Sequence, residues 1–299
     1  MGIAAVLLPF ALGVIMFGLG LGLVPADFRR VLSHPKVTVV ALSCQVVLLP
    51  VICFGLVLAF GLPPVLAVGM MLLVASPGGT TANLFSHLYG GDVALNVTLT
   101  AVNSMISVVT LPVVFNLSAA YFFTSGSENA ELGLQFTKTL QVFAIVLVPV
   151  LVGMYVRSRA PQFALRTDRT VRIFSVVVLA LIIVGALIQE RENLAEYLGA
   201  TGPVSVALLV VSLGVGYWVP RLLKVDRRQA IACCMEVGLH NTTLAITIAL
   251  SIVGSTEMAV PGATYGVLMN FAAAAAGWLL RRGHARTASP AAPTGSEAP

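Results

Sequence analysis

Glu236 is the residue of this chain that is best placed to do chemistry, because it is an acidic side chain inside a long apolar segment. If that segment crosses a membrane, a charge at its centre costs on the order of 2.5 to 3.5 kcal/mol. A bound cation would offset that cost, whereas the structural alternative is a protonated carboxyl group that hydrogen-bonds a neighbouring helix. Intramembrane carboxylates mark ion and substrate pathways, so Glu236 is the predicted centre of a functional site.

Amide and hydroxyl groups in other apolar segments could complete a cation site around this carboxylate. Hard cations prefer oxygen ligands, and a carboxylate with amide, hydroxyl and backbone oxygens would form a cage for Na⁺. Asn96 and Thr100 are four residues apart, so on a helix they would share one face and could point at one site. For each such residue the alternative is an ordinary hydrogen bond between two helices. The other candidates are Gln45, Asn83 and Asn241.

Two apolar segments also contain helix-breaking residues. Pro77, Gly78 and Gly79 interrupt the first, and Gly238 lies among polar residues in the second. In transporters built from inverted repeats, two broken helices meet near the middle of the membrane, where helix N-termini face anions and free carbonyl groups face cations. The two segments occupy corresponding positions in the two halves of the chain. We therefore predict that they meet at the site.

The elements that position these residues must be membrane helices. The chain is 58% hydrophobic and 10% charged, with a mean hydropathy of +0.97, whereas soluble domains carry roughly 25% charged residues. Windows such as residues 176–187 are continuously apolar, which excludes the alternating pattern of a membrane barrel. The basic residues lie in short loops and not in one patch, so the net charge of +5 does not indicate a nucleic-acid partner.

The predicted fold is an all-α integral membrane protein with about nine transmembrane helices, since each spanning helix needs about 20 apolar residues. The predicted spans are residues 3–24, 37–60, 64–86, 93–117, 137–157, 171–189, 202–221, 228–252 and 260–281. With these spans, nearly all Lys and Arg residues fall on one side, which is the cytoplasmic side by the positive-inside rule. We therefore expect the plasma (inner) membrane, an external N-terminus and a cytoplasmic C-terminus. Residues 287–299 are small and polar, and we expect a disordered tail.

Three stretches of the sequence resemble the bile acid:sodium symporter family, and the likeness extends over residues 3–282. They are LGVIMFGLGL (12–21) with Asp27 and His34–Lys36, PGGT (77–80) with Asn83 and Asp92–Leu95, and EVGLHN (236–241), which is similar to the family signature E-x-G-x-Q-N. The resemblance implies alternating access between two parts of a transmembrane domain, residues 1–286. A panel domain would comprise about residues 3–24 and 137–189, and a core domain with the two crossing broken helices about residues 37–117 and 202–281.

The resemblance also implies two sodium sites and a substrate site. By position, the first sodium site would use Ala82, Asn83, Asn96, Thr100 and Glu236. The second would use Gln45, Glu236, Val237, Leu239 and His240. The substrate would bind beside the crossing of the broken helices, near Thr80, Thr81, Asn83, His240 and Asn241.

This chain departs from the family pattern at both sodium sites. Ala82 stands where relatives often carry Ser, and Asn96 replaces a hydroxyl residue, but oxygen ligands remain and we expect the first site to persist. His240 stands where sodium-coupled relatives carry Gln. Imidazole nitrogen is a poor ligand for a hard alkali cation and titrates near neutral pH. His240 would either displace the second Na⁺, with H⁺ as a substitute, or simply hydrogen-bond Glu236 or Gln45.

The expected function is therefore a sodium-coupled symporter that imports an organic anion, bile acid-like or a smaller carboxylate. We expect Na⁺ as the coupling ion, no organic cofactor, no nucleic acid, and a monomer in the lipid bilayer. One alternative is a proton-coupled carboxylate transporter of the same fold that uses His240. A more remote alternative is an intramembrane enzyme centred on Glu236 and His240.

Overall fold

The computed structural model describes residues 34–123, 136–164 and 194–287, with single positions at 13–21 and 166–177. For Thr80, Leu194 and residues 136–147 and 283–287, only the backbone is described. The predicted spans 3–24 and 171–189 lie outside the described residues except for single helical positions, as do residues 288–299 of the predicted tail. The described residues are almost entirely helical and contain no strand.

Nine helices cover the described ranges, and the labels α1 to α9 refer to them in chain order. They are α1 Pro35–Ala59, α2 Pro64–Ala75, α3 Thr80–Leu88, α4 Val93–Phe122, α5 Phe136–Arg159, α6 Leu194–Leu222, α7 Arg227–Gly238, α8 Thr242–Val253 and α9 Thr256–Thr287. Four of these, α1, α4, α6 and α9, are long and apolar enough to cross a membrane. Two contain a π-helical turn, Cys44–Leu48 in α1 and Ala249–Val253 in α8.

Helix boundaries follow from local side-chain chemistry. Asp92 accepts a hydrogen bond from Leu95 N (3.0 Å) at the start of α4, and Asp226 accepts one from Arg228 N (2.8 Å) at the start of α7. Such caps satisfy amide groups that have no partner within the helix. Gly254 ends α8 with a φ of 75°, a left-handed conformation that glycine adopts without steric cost. Helix α6 begins at Leu194, earlier than the predicted span, and α9 extends to Thr287.

The predicted spans 64–86 and 228–252 are each interrupted, at the breaks that the sequence indicates. Between α2 and α3, Ser76 and Gly79 are extended, and Pro77 has no N–H to donate. Between α7 and α8, Leu239 leaves the helical region with φ −112° and ψ 96°. Each span therefore consists of two half-helices joined by an extended segment.

The two extended segments cross and hydrogen-bond each other. Gly78 and His240 form an isolated antiparallel bridge. Gly79 N donates to Leu239 O (2.6 Å), and Asn241 N donates to Pro77 O (2.8 Å). In lipid every backbone polar group needs a protein partner, so each break is tolerated because the other lies against it.

The half-helices before the breaks lie at the centre of the described structure. Every residue of α2 from Val65 to Ala75 and every residue of α7 from Ala230 to Gly238 is buried. The longer helices around them expose large apolar side chains, including Val109 on α4, Val210 on α6 and Val267 on α9. The apolar surface is thus turned outward, as expected where lipid is the solvent. This arrangement buries Glu236 on α7.

Candidate functional site

Glu236 is 2% exposed and is held by two side chains of α4. Asn96 Nδ2 donates to Glu236 Oε2 at 2.9 Å, and Thr100 Oγ1 donates to the same oxygen at 2.5 Å. Hydrogen bonds to an ionised acceptor are about twice as strong as neutral ones. The predicted helix-face pair is therefore confirmed as a contact with this carboxylate.

Gly78 allows the carboxylate to lie against the first break. A Cβ atom added at Gly78 would collide with the Glu236 carboxyl group, so every other residue would displace it. The Gly78 backbone and the carboxylate also interact directly. Glu236 therefore connects three elements, its own helix α7, helix α4 and the segment between α2 and α3.

Several buried oxygen atoms around this carboxylate lack a hydrogen-bond partner. They are Glu236 Oε1, Asn96 Oδ1, Asn83 Oδ1 and Thr81 Oγ1. Leaving a buried polar atom unpaired costs about 1 to 3 kcal/mol, so such atoms need an explanation. The first three can only accept, which makes them suitable ligands for a hard cation. The described residues contain no cluster of His, Cys, Asp or Glu that would hold a transition metal.

The remaining predicted first-site residue, Ala82, is fully buried in the first turn of α3. Its N–H donates to Gly79 O at 3.0 Å, and with no polar side chain it could contribute only its carbonyl oxygen. Asn83 follows it on α3 and forms no hydrogen bond to Glu236 through Oδ1. The structure thus joins Asn96, Thr100 and Glu236 directly and places Asn83 and Ala82 on the half-helix that follows the first break.

Gln45 and His240 pair with each other. Gln45 lies in the π-helical turn of α1, and its Nε2 atom is 3.0 Å from His240 Nδ1 and 3.3 Å from Ser76 O. An Nδ1 atom that accepts from this amide leaves the imidazole proton on Nε2. Gln45 Oε1 and His240 Nε2 are buried without partners. Of the two alternatives for the hydrogen-bonded His240, Gln45 is the partner and Glu236 is not.

The predicted backbone ligands of the second site lie at the second break. Asn241 N, which would bond Val237 O in a continuous helix, donates to Pro77 O instead, which frees the Val237 carbonyl group. Leu239 O already accepts from Gly79 N, so only its second lone pair is available.

The predicted substrate residues lie at the starts of two half-helices. Thr81 and Asn83 are in the first turn of α3, and Asn241 caps α8 by accepting from Leu244 N at 3.1 Å. The side chain of Thr80 lies outside the described residues. Helix N-termini carry partial positive charge and unpaired N–H groups, so both half-helices direct these groups toward the crossing.

Tyr265 is a functional-site contact that sequence reasoning did not identify. Its fully buried hydroxyl group donates to Gly238 O (2.9 Å) and lies 3.3 Å from Ser212 Oγ, and its ring is 5.3 Å from the His240 ring. A buried Tyr hydroxyl needs a partner, and that rule alone would have indicated a polar neighbour. The identity of the partner depends on the broken end of α7 and could not be inferred from α9.

The second contact that was missed is Asn103. It is 2% exposed on α4, and its Nδ2 atom has no hydrogen-bond partner. Its position seven residues after Asn96 places it on the same helix face. This spacing was the available signal, but a lone amide in an apolar helix is usually structural.

Comparison with known proteins gives one matching family and several relatives. Residues 9–197 match the Sodium Bile acid symporter family. The uncharacterized sodium-dependent transporter YocS of Bacillus subtilis is 29% identical over 263 residues, which are 87% of this chain and 78% of that protein. The probable sodium/metabolite cotransporter BASS2 of Oryza sativa subsp. japonica is 26% identical over 86% of this chain and 60% of its own length. The ileal sodium/bile acid cotransporter of Cricetulus griseus is 26% identical over 82% of this chain and 69% of its own length.

Proposed function

This chain belongs to the Sodium Bile acid symporter family, and we propose that it imports an organic anion by sodium-coupled alternating access. It is a membrane transporter and not an enzyme, as its family and relatives are. The intramembrane enzyme considered from the sequence would pair Glu236 with His240, but His240 bonds Gln45. The observation that carries the proposal is the set of buried, unpartnered acceptor oxygens around Glu236.

The first sodium ion would bind at Glu236 Oε1 and Asn96 Oδ1. Asn96 uses its amide nitrogen to hold Oε2, so its own oxygen is free for the ion. Asn83 Oδ1, the Thr100 hydroxyl oxygen and the Ala82 carbonyl oxygen would complete the site. The carboxylate supplies the compensating charge, and each oxygen would gain the partner that the protein does not provide.

The substrate would bind on the other side of the crossing, at the N-termini of α3 and α8. Thr80, Thr81, Asn83, His240 and Asn241 are the candidate contacts. Two positive helix ends with adjacent N–H groups favour a carboxylate or another anionic group. The names of the animal and plant relatives, which refer to bile acid and to metabolites, support a small organic anion as the substrate class.

Alternating access would move the core domain (about 37–117 and 202–281) against the panel domain (about 3–24 and 137–189). A close backbone contact supports the panel as one body, because a Cβ atom added at Gly20 or Gly153 would meet the backbone of the other's segment. Small residues allow such close packing between membrane helices. The crossing belongs to the core, so both bound solutes would be exposed to alternate sides together.

A second sodium ion is disfavoured by His240. The imidazole occupies the position next to Gln45 and offers no oxygen. Proton coupling is the second candidate function, and the unpartnered Gln45 Oε1 favours it. If Nδ1 gained a proton, the Gln45 amide could rotate so that Oε1 accepted from it, which would keep the pair bonded.

The proposed orientation in the plasma (inner) membrane has the C-terminus in the cytoplasm and the protein as a monomer. The end of α9 supports this orientation, because the Arg282 guanidinium stacks over the Trp278 ring at 3.7 Å. Tryptophan is enriched at membrane–water interfaces, and basic residues on the cytoplasmic side.

Transport in vesicles tests the proposal. The purified protein, reconstituted in liposomes, is loaded with one of a panel of organic anions and assayed for counterflow of the labelled anion in sodium and in choline. We expect counterflow of at least one carboxylate in sodium and none in choline. Equal counterflow in both buffers would contradict sodium coupling, and a dependence on a pH gradient alone would favour the proton-coupled alternative.

A further inference from the structure

Asn103 and Glu236 carry complementary atoms that both lack a hydrogen bond. Asn103 Nδ2 is a buried donor without a partner, and Glu236 Oε1 is a buried acceptor without one. The Asn103 side chain is close enough to interact with the carboxylate, yet it forms no hydrogen bond with it in this structure. The two donors of Oε2, Asn96 and Thr100, precede Asn103 on the same face of α4.

We propose that Asn103 is a positioning residue that donates from Nδ2 to Glu236 Oε1 when no cation occupies that oxygen. The inference rests on the proposed sodium-coupled function and adds a role for a residue that is not an ion ligand. The amide nitrogen carries only donor hydrogens, so it cannot coordinate Na⁺. Asn103 and a cation would therefore compete for the same carboxylate oxygen.

This competition matters for the return of the empty carrier. A symporter that has released its ion must reorient with Glu236 in the membrane interior, where an unpaired carboxylate oxygen is costly. A charge-assisted hydrogen bond from Asn103 would reduce that cost. The bond would speed the return of the empty carrier and at the same time weaken sodium binding.

The substitution Asn103→Ala separates these effects from simple packing. Net uptake down a sodium gradient requires the empty carrier to return, whereas counterflow with sodium on both sides does not. We expect Asn103→Ala to lower net uptake about tenfold and to leave counterflow within about twofold of the wild type. The half-saturating sodium concentration should fall about tenfold, which is the effect of one hydrogen bond to a charged group. Asn103→Gln, which keeps an amide donor, should restore part of the net uptake.

A matched control is available on the same helix. Ser107 is buried one turn further along α4, and its hydroxyl bonds the Ser104 carbonyl group at 2.8 Å. Ser107→Ala should leave all three quantities unchanged. If Asn103→Ala does not yield folded protein, Asn103→Thr removes the same amide and is judged by the same criterion.

Binding of ²²Na⁺ to the detergent-solubilised protein provides a readout without substrate. The proposal predicts tighter sodium binding by Asn103→Ala than by the wild type. Equal losses of net uptake and counterflow, unchanged values of both, or weaker sodium binding would overturn it. Failure of the wild type to show sodium-dependent counterflow would instead contradict the proposed function, so the two failures are distinguishable.

Discussion

The Thr100 hydroxyl group lies 2.5 Å from Glu236 Oε2, although the two residues are 136 positions apart in the sequence. This contact joins α4, which follows the first broken span, to α7, the first half of the second broken span. The same carboxylate lies against Gly78 in the first break. A cation bound at Glu236 would therefore contact both halves of the chain, which explains how one ion could stabilise a particular arrangement of the crossing.

Substitution of Thr100 by Val tests the donor to the carboxylate. Val has a similar shape but no hydroxyl group, so Glu236 would lose one charge-assisted hydrogen bond, worth about 1.5 to 3 kcal/mol. We expect the half-saturating sodium concentration of transport to rise at least tenfold. Thr110→Val is the matched control, because Thr110 on the same helix bonds only the Ile106 carbonyl group among the described contacts. An equal effect of both substitutions would contradict a specific role for Thr100.

Asn83 should contribute to sodium affinity and not to the maximal rate of ion-driven movement. Its Oδ1 atom is buried without a partner, so Asn83→Ala removes a proposed ligand and leaves no new unpaired group. We expect a several-fold higher half-saturating sodium concentration, with uptake recovering in high sodium if the substrate does not also use this side chain. Titration of uptake against sodium at saturating substrate measures this. An unchanged sodium dependence would exclude Asn83 from the site.

A methyl group at Gly78 should disable the site without unfolding the protein. Gly78→Ala would force the Glu236 carboxylate away from the first break, because the added Cβ collides with it. We expect sodium-dependent uptake to fall at least tenfold while the melting temperature changes by only a few degrees. Gly55→Ala is the control, since a Cβ at Gly55 on α1 has nothing within 4 Å. Full activity of the Gly78 variant would show that the carboxylate does not need this contact.

Replacement of His240 by Gln tests whether the imidazole excludes a second ion. The amide would bring an oxygen ligand next to Gln45, Glu236 and the freed Val237 carbonyl group, which suits a hard cation. We expect uptake to depend more steeply on sodium, with a Hill coefficient that rises from near one, and to become less sensitive to external pH. No change in the steepness of the curve would argue that His240 does not decide the number of ions.

The most informative parts of the sequence were the residues that are unfavourable in lipid. Glu236 and the two breaks violate the rules of an apolar helix, and the structure brings all three together. Asn96 and Thr100 could be assigned to one face because four residues make about one helical turn. These features depend on local sequence, which is why they were predictable.

Other parts of the site depend on packing that the sequence does not reveal. Tyr265 and Gly238 O meet only because α9 packs beside the end of α7, where the break has freed a carbonyl group. Whether Asn103 faces a carboxylate or another helix depends on the rotation of α4 against α7, which no local pattern fixes. The proposed panel domain lies largely outside the described residues, and its role stays a prediction.

The central claim is that the Glu236 carboxylate binds the coupling sodium ion, and Glu236→Gln tests it most directly. The amide keeps the shape of the side chain, and its oxygen can still accept from Asn96 and Thr100, so the variant should fold. In proteoliposomes with an imposed sodium gradient, we predict that the variant loses sodium-driven accumulation of any anion that the wild type accumulates, and that it loses ²²Na⁺ binding in parallel. Sodium-dependent uptake at the wild-type rate by Glu236→Gln would contradict the account.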